Sequence, residues 1–260
     1  MALVHYELCD RAAWITLANP DAGNSFTPAM ADALSAAVSR AEHDRAAVLV
    51  LRAEGRFFSV GGDLAGFADA DNLPDYMNDL ATHGHRIIAE LTRSDLIVVS
   101  VVQGTAAGIG FPLAMAADLV IAADTAAFTL GYTRVGLTGD GGTGLLARSI
   151  GLHHTLRLAL LNDVLTADEA CAAGLVARVV PEAELETEAE KIVARLATGS
   201  RGAQAGIKRI VRAAATADIE TQLALEARTM TEATRDPDAL EGVHAFLAKR
   251  PPAFGQHGES

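Results

Sequence analysis

The feature that most constrains this chain is a set of short aliphatic runs that do not alternate with polar residues. They are Ala13–Leu17, Ala47–Arg52, Leu96–Val102, Leu119–Ala122, Ala126–Leu130 and Val176–Val180. A strand with one wet face alternates apolar and polar side chains, whereas a run of Val, Ile and Leu without alternation suits a strand buried on both faces. Segments with helical spacing separate these runs. Thr27-Pro28 reads as an N-cap followed by a first-turn proline, and Met30, Leu34, Ala37, Val38 and Ala41 follow on one face. Asp71-Asn-Leu-Pro74 opens a second helix that carries Leu80, Ile87, Ile88 and Leu91. Strands alternating with helices in this way predict an α/β chain with right-handed crossovers.

After Pro181 the pattern changes. Glu182–Ala197, Arg201–Ala214, Ile219–Thr234 and Pro237–Lys249 read as helices with no strand-like run among them. Asp236-Pro237 supplies an N-cap and first-turn pair, and Pro251-Pro252 ends the last helix. The change predicts two regions, 1–198 and 199–260, with the boundary near Gly199-Ser200. The apolar faces of Ile219–Thr234 and Pro237–Lys249 are hard to bury within one subunit, so a homotrimer or a homohexamer is expected.

Composition excludes several classes. Half the residues are hydrophobic, yet there are only 8 Phe, 3 Tyr and 1 Trp, so the core is aliphatic. Lys and Arg number 21 against 33 Asp and Glu, a net charge of −12, which opposes nucleic-acid binding because phosphates need a basic face. Cys9 and Cys171 form neither a disulfide framework nor a zinc-ligand spacing, as expected in a reducing cytosol. The N-terminus lacks the basic and apolar stretches of a signal peptide, and Leu96–Val102 is far too short to cross a bilayer. A cytoplasmic protein with no membrane or metal dependence is expected.

Three glycine-rich segments follow strand-like runs: Arg56–Leu64, Gln103–Ala114 and Gly136–Gly144. Glycine lets the backbone turn sharply and approach a ligand closely. Gly104 to Gly110 contains no G-x-G-x-x-G in the right order, and no G-x-x-x-x-G-K-[ST] is present in the chain, which opposes dinucleotide and nucleotide loops. Two such loops could instead offer one backbone N–H each to a single oxygen, forming an oxyanion hole.

Taken together, Phe58-Ser-Val-Gly-Gly-Asp63-Leu64, Gly104-x-Ala-Ala-Gly-x-Gly110, Ala117-Asp118-Leu-Val-Ile-Ala-Ala and Val135-Gly-Leu-x-x-Asp-Gly-Gly-Thr143 resemble the crotonase, or enoyl-CoA hydratase/isomerase, superfamily. Leu165-Thr-Ala-Asp-Glu-Ala-x-x-x-Gly-Leu-Val176 and Val179-Val-Pro181 extend the resemblance, which runs from about Leu3 to Phe254. It implies a spiral of ββα units that binds acyl-CoA, a helical C-terminal trimerisation region, an acyl-CoA thioester as substrate in fatty acid metabolism, and no cofactor. It also implies that the amides of Gly62 and Ile109 form the oxyanion hole. Ile109 would narrow the acyl pocket relative to glycine.

The departures from the family pattern bear on the reaction. Hydratases of this family carry glutamates at the positions held here by Pro112 and Tyr132, so water addition by paired carboxylates is not expected. Asp140 stands where several enoyl-CoA isomerases carry their base, and no second carboxylate is expected to face it. Thr221-Gln-Leu-x-Leu-Glu226 and Glu241-Gly-Val-x-Ala-Phe-Leu-Ala-Lys-Arg250 also resemble the ring-epoxide phenylacetyl-CoA isomerase branch. Asp63 is expected to cap the next turn. His85 and Tyr132 are expected at the substrate pocket, and His85 falls near the histidine of 4-chlorobenzoyl-CoA dehalogenases, where an aspartate at the Asp140 position is the nucleophile. Arg56, Lys249 and Arg250 are expected to contact the phosphates of CoA. The favoured expectation is an enoyl-CoA isomerase with Asp140 as its one base. The alternatives are a hydratase-type homologue, a ring-epoxide isomerase, a dehalogenase- or thioesterase-like enzyme, and a non-catalytic CoA- or RNA-binding member.

Overall fold

In the computed structural model, which describes residues 2–255, the chain opens with an antiparallel hairpin of β1 (Val4–Cys9) and β2 (Ala12–Leu17). The strand β1 escapes the aliphatic pattern because it is an edge strand with little of its surface covered. Helix α1 (Pro28–His43) follows. Thr27 caps it, its Oγ1 accepting from the Met30 amide at 3.0 Å, and Met30, Leu34, Ala37, Val38 and Ala41 form its buried face.

Three strand pairs then repeat one plan. They are β3 (Val48–Ala53) with β4 (Phe57–Ser59), followed by α2 (Leu64–Ala68) and α3 (Leu73–Arg93); β5 (Ile97–Val102) with β6 (Thr105–Ala107), followed by α4 (Gly110–Met115); and β7 (Leu119–Ala123) with β8 (Ala127–Thr129), followed by α5 (Thr143–Ile150) and α6 (Leu152–Leu161). The first strand of each pair joins one sheet and the second joins another. With β9 (Leu165–Thr166), α7 (Ala167–Ala172) and β10 (Arg178–Val180), the sheet orders become β1-β2-β3-β5-β7-β10 and β4-β6-β8-β9. Among the described residues the antiparallel pairs are β1 with β2 and β8 with β9; the other strand pairs are parallel. The result is a spiral whose turns each add a strand to both sheets.

The missing alternation has a direct cause. Leu49, Leu51 and Val98 enter the large core, which also takes the buried faces of α1 and α3. Val48, Val50, Val99, Val101 and Ile121 point the other way, onto Leu185, Ala189 and Val193 of α8 (Leu185–Ala197). The runs at 126–130 and 176–180 form shorter strands than their composition predicts, because Leu130 and Val176 enter the core from outside the strands.

Three further helices complete the described chain: α9 (Arg201–Ala214), α10 (Ile219–Ala233) and α11 (Pro237–Leu247). Buried Lys208 fastens α9 to the spiral, donating to the carbonyls of Leu91 and Leu96 and pairing with Asp118. The helix α10 buries none of its own residues, and Phe246 of α11 is 82% exposed. The last five positions of the expected 199–260 region lie outside the described residues. Among the described residues no helix is long and apolar enough to cross a membrane.

Candidate active site

The parallel pairing of β4 with β6 sets Phe57 beside Thr105 and Ser59 beside Ala106, so the glycine segments that follow leave the sheet side by side. They touch backbone to backbone. A methyl group on Gly61 (φ 100°) would lie 3.0 Å from the Ala107 carbonyl oxygen and 3.3 Å from Gly108 Cα. One on Gly108 (φ 52°) would lie 3.3 Å from Gly61 Cα and 3.9 Å from the Gly62 nitrogen. Positive φ and this closeness together require glycine at both places.

Neighbouring groups are consumed by the fold. Phe26 N–H donates to the Gly61 carbonyl at 2.7 Å, Asp63 N–H to the Phe26 carbonyl at 3.2 Å, and Gly108 N–H to the Thr129 carbonyl at 3.1 Å. The N–H groups of Gly62 and Ile109 donate to no partner among the described residues. Buried backbone donors are nearly always paired, with protein groups or with water. Two unpaired ones on the wall of a single cavity of about 370 Å³ can serve an oxygen that gains negative charge during a reaction.

Helices α2 and α3 line one side of the cavity with Leu64, Phe67, Met77, Leu80 and Ala81, and the segment from Tyr132 to Asp140 lines the other. Asp63 caps α2, its Oδ1 accepting from the Ala65 amide at 3.2 Å. It also borders the cavity. Close by, burial holds the Tyr76 phenol above its ordinary pKa, with the charge of Asp63 adding to the effect.

Asp140 is on the cavity wall with 26% of its side chain exposed, and its Oδ1 lies 2.5 Å from His85 Nε2. Its main-chain carbonyl accepts from the Tyr132 hydroxyl at 3.2 Å and from Thr143 Oγ1 at 3.4 Å. Burial, with the charge of Asp140 in support, pushes the Tyr132 phenol well above its ordinary range, so Tyr132 acts as a neutral donor. His85 departs from expectation: its side chain is 57% exposed and does not line the cavity, and it reaches the site only through Asp140. Thr143, which no sequence argument singled out, carries its signal in the three-residue spacing from Asp140.

The basic residues are not gathered here. Arg56, Lys249 and Arg250 do not border the cavity. The Arg56 guanidinium lies 5.2 Å from the centre of the Phe57 ring. Arg250 is held in a two-pronged pair with Glu241 at 2.7 and 2.8 Å. Lys249 follows α11 at a positive φ of 52°. Among the described residues no group of three or more His, Cys, Asp or Glu could hold a metal ion.

A family model described as enoyl-CoA hydratase/isomerase matches residues 10–257. The chain belongs to the enoyl-CoA hydratase/isomerase family. It is 38% identical over 253 residues to a "probable enoyl-CoA hydratase" of Rhodobacter capsulatus, covering 96% of this chain and 97% of that one. It is 35% identical over 244 residues to the 1,2-epoxyphenylacetyl-CoA isomerase of Escherichia coli, covering 92% and 93%. The crystal structure of an enoyl-CoA hydratase from Mycobacterium smegmatis matches with a TM-score of 0.92 at 30% identity, covering 97% and 98%. The architecture is the α/β crotonase fold, and the chain is an acyl-CoA-processing enzyme of the crotonase type. The names of these relatives divide between hydratase and isomerase, so the branch has to be argued from the site.

Proposed function

We propose that this enzyme is an enoyl-CoA isomerase that shifts a double bond by a one-base proton transfer. The observation that carries the reading is Asp140, which borders the same cavity as the unpaired amides of Gly62 and Ile109. Pro112 and Tyr132 stand where hydratases of the family carry glutamates. The two N–H groups hold the thioester oxygen and make the α-carbon protons more acidic. Asp140 takes one α proton from a 3-enoyl thioester, and the electron pair moves into a dienolate whose oxygen the amides stabilise. The same carboxyl returns the proton at the γ carbon, leaving the double bond between the α and β carbons. His85 fixes Asp140 through Oδ1, and Oδ2, which has no hydrogen bond among the described residues, is the oxygen left for the substrate.

The test is a panel of acyl-CoA substrates incubated in deuterated water and read by mass spectrometry. Isomerisation exchanges deuterium without adding water. Asp140→Asn should lower turnover by roughly 10²–10⁴ while acyl-CoA binding is kept. A hydrated product, or Asp140→Asn turning over at the parental rate, would overturn the reading. The contact with His85 also supports a second reading, with Asp140 as nucleophile in a dehalogenase- or thioesterase-like reaction. A covalent aspartyl adduct seen by intact-protein mass would select it.

The residues from 199 onward are proposed as the region that packs on neighbouring subunits, in a trimer or hexamer. Support comes from the uncovered Ile219, Leu223, Met230 and Leu247. A stable monomer at micromolar concentration by light scattering would rule this out. Arg56 and Lys249, which have no ion-pair partner among the described residues, are assigned to the phosphates of CoA.

A further inference from the structure

The side chain of Ile109 does something its amide does not. It fills a gap between two glycines, each next in sequence to one member of the His85–Asp140 pair. A methyl group on Gly84 of α3 would lie 2.3 Å from Ile109 Cδ1. One on Gly141 would lie 2.8 Å from Ile109 Cγ1 and 3.4 Å from Cδ1. Carbon atoms pack best at about 3.5–4.0 Å, so the isoleucine rests directly on both bare backbones. It is 5% exposed, and each glycine position has a second apolar side chain beside it. Phe26 Cε1 lies 3.5 Å from the Gly84 methyl position, and Ile88 Cδ1 lies 3.5 Å from that of Gly141.

Gly84 is an unfavourable residue for its place. It lies inside the 21-residue helix α3, where glycine costs about 1 kcal/mol relative to alanine. Its φ is not positive, so the backbone does not require it. Room for Ile109 is the remaining reason. Gly84 precedes His85 and Gly141 follows Asp140, and these two side chains meet at 2.5 Å.

We propose that the Ile109 side chain is a positioning residue. It is a spacer that sets the separation of α3 from the 139–142 loop and thereby holds His85 Nε2 on Asp140 Oδ1. The consequence for turnover rests on the reading of Asp140 as the base, while the geometry stands apart from it.

The experiment compares crystal structures and acyl-CoA exchange kinetics of Gly84→Ala, Ile109→Val and the double variant. Gly84→Ala should drive the two elements apart, open the His85–Asp140 contact beyond hydrogen-bonding distance and lower kcat about tenfold with KM little changed. Ile109→Val deletes Cδ1, the atom in the way of a methyl at 84, so the double variant should regain the contact and most of kcat. A role confined to stability would move the melting temperature and leave kcat alone. Ile109→Ala cannot clash and tests the point from the other side, with the same selective loss of kcat expected. An unaltered His85–Asp140 contact in both Gly84→Ala and Ile109→Ala would overturn the proposal, as would a double variant no better than Gly84→Ala. A contact that opens and is restored while turnover never changes would uphold the spacer and count against Asp140 as the base.

Discussion

Lys208→Met tests how α9 is held to the spiral. Lys208 is 7% exposed, and its Nζ donates to the carbonyls of Leu91 at 2.9 Å and Leu96 at 2.7 Å while pairing with Asp118 Oδ2 at 2.9 Å. Asp118 also accepts from Arg212 at 2.6 and 3.0 Å and from the Val98 amide at 2.9 Å. Methionine keeps most of the length of the side chain, one atom short, and removes every donor. Breaking a buried pair from one side costs about 3–5 kcal/mol. Because Asp118 keeps Arg212 and the Val98 amide, the lower end, about 3 kcal/mol, is expected. At about 2–4 °C per kcal/mol for a large domain, the melting temperature should fall by roughly 6–12 °C. Urea unfolding and thermal melts would be run at matched protein concentration, since assembly shifts apparent stability. Alkaline pH adds a second arm. Burial lowers the pKa of Lys208 below its ordinary value of 10.5, outweighing the attraction of Asp118. Between the folded value and 10.5 the unfolded chain binds more protons, so stability rises with pH in that window. The gap between parent and variant should therefore widen as pH climbs toward 10.5. A loss below about 1 kcal/mol, typical of an exposed ion pair, or a gap that narrows, would refute the reasoning.

Two further outcomes probe the site. Gly61→Ala forces a methyl to within 3.0 Å of the Ala107 carbonyl at a φ of 100°; the glycine loops should part and kcat fall by about 10²–10³, the loss expected when one oxyanion donor goes, as read by turnover of folded variant. Tyr132→Phe removes the hydroxyl bond to the Asp140 carbonyl and should cost about 1 kcal/mol of stability with less than a tenfold loss of turnover. Because burial raises the Tyr132 pKa above 10.0, its contribution is complete below pH 10 and is lost above it, so melts above pH 10 should show the parent losing stability faster than the Phe variant.

The parts of the fold legible in the sequence were those that local pattern determines. The strands β3 and β5 could be read because both their faces are buried, and α1 because Thr27, Pro28 and a spaced apolar face agree. The strands β4, β6 and β9 are two or three residues long, and nothing local separates them from loops; they exist because partners far along the chain complete their hydrogen bonds. The cap made by Asp63 was legible for the same reason as α1, whereas its place on the cavity wall depends on how α2 folds over the glycine loops. His85 and Asp140 are 55 positions apart. Their contact depends on where α3 lies against the 139–142 loop, which no spacing encodes. That is why His85 could be placed near the pocket but not on Asp140.

The glycine segments show why a common scaffold can carry different reactions. A methyl on Gly104 would lie 2.0 Å from the Arg56 carbonyl oxygen, and one on Gly110 would lie 2.7 Å from Ser59 Cβ. With Gly108 against Gly61, the glycines of the second segment face the backbone of the first, so their primary duty is to let two chain segments lie flush. The free amides follow from that packing. The loops leave adjacent parallel strands together, their neighbouring N–H groups are taken up by Thr129, Phe26 and the loops themselves, and no third strand arrives to take the N–H of Gly62 or Ile109. The oxyanion site proposed here is a property of the backbone and is indifferent to side chains. On the proposed reading, what the bound thioester then undergoes depends on the groups that line the same cavity from elsewhere, here Asp140 from the segment after β8, with Tyr132 and His85 in contact with it. Relatives that share the glycine packing can therefore differ in reaction, and the Asp140 segment is where this enzyme's chemistry is to be sought.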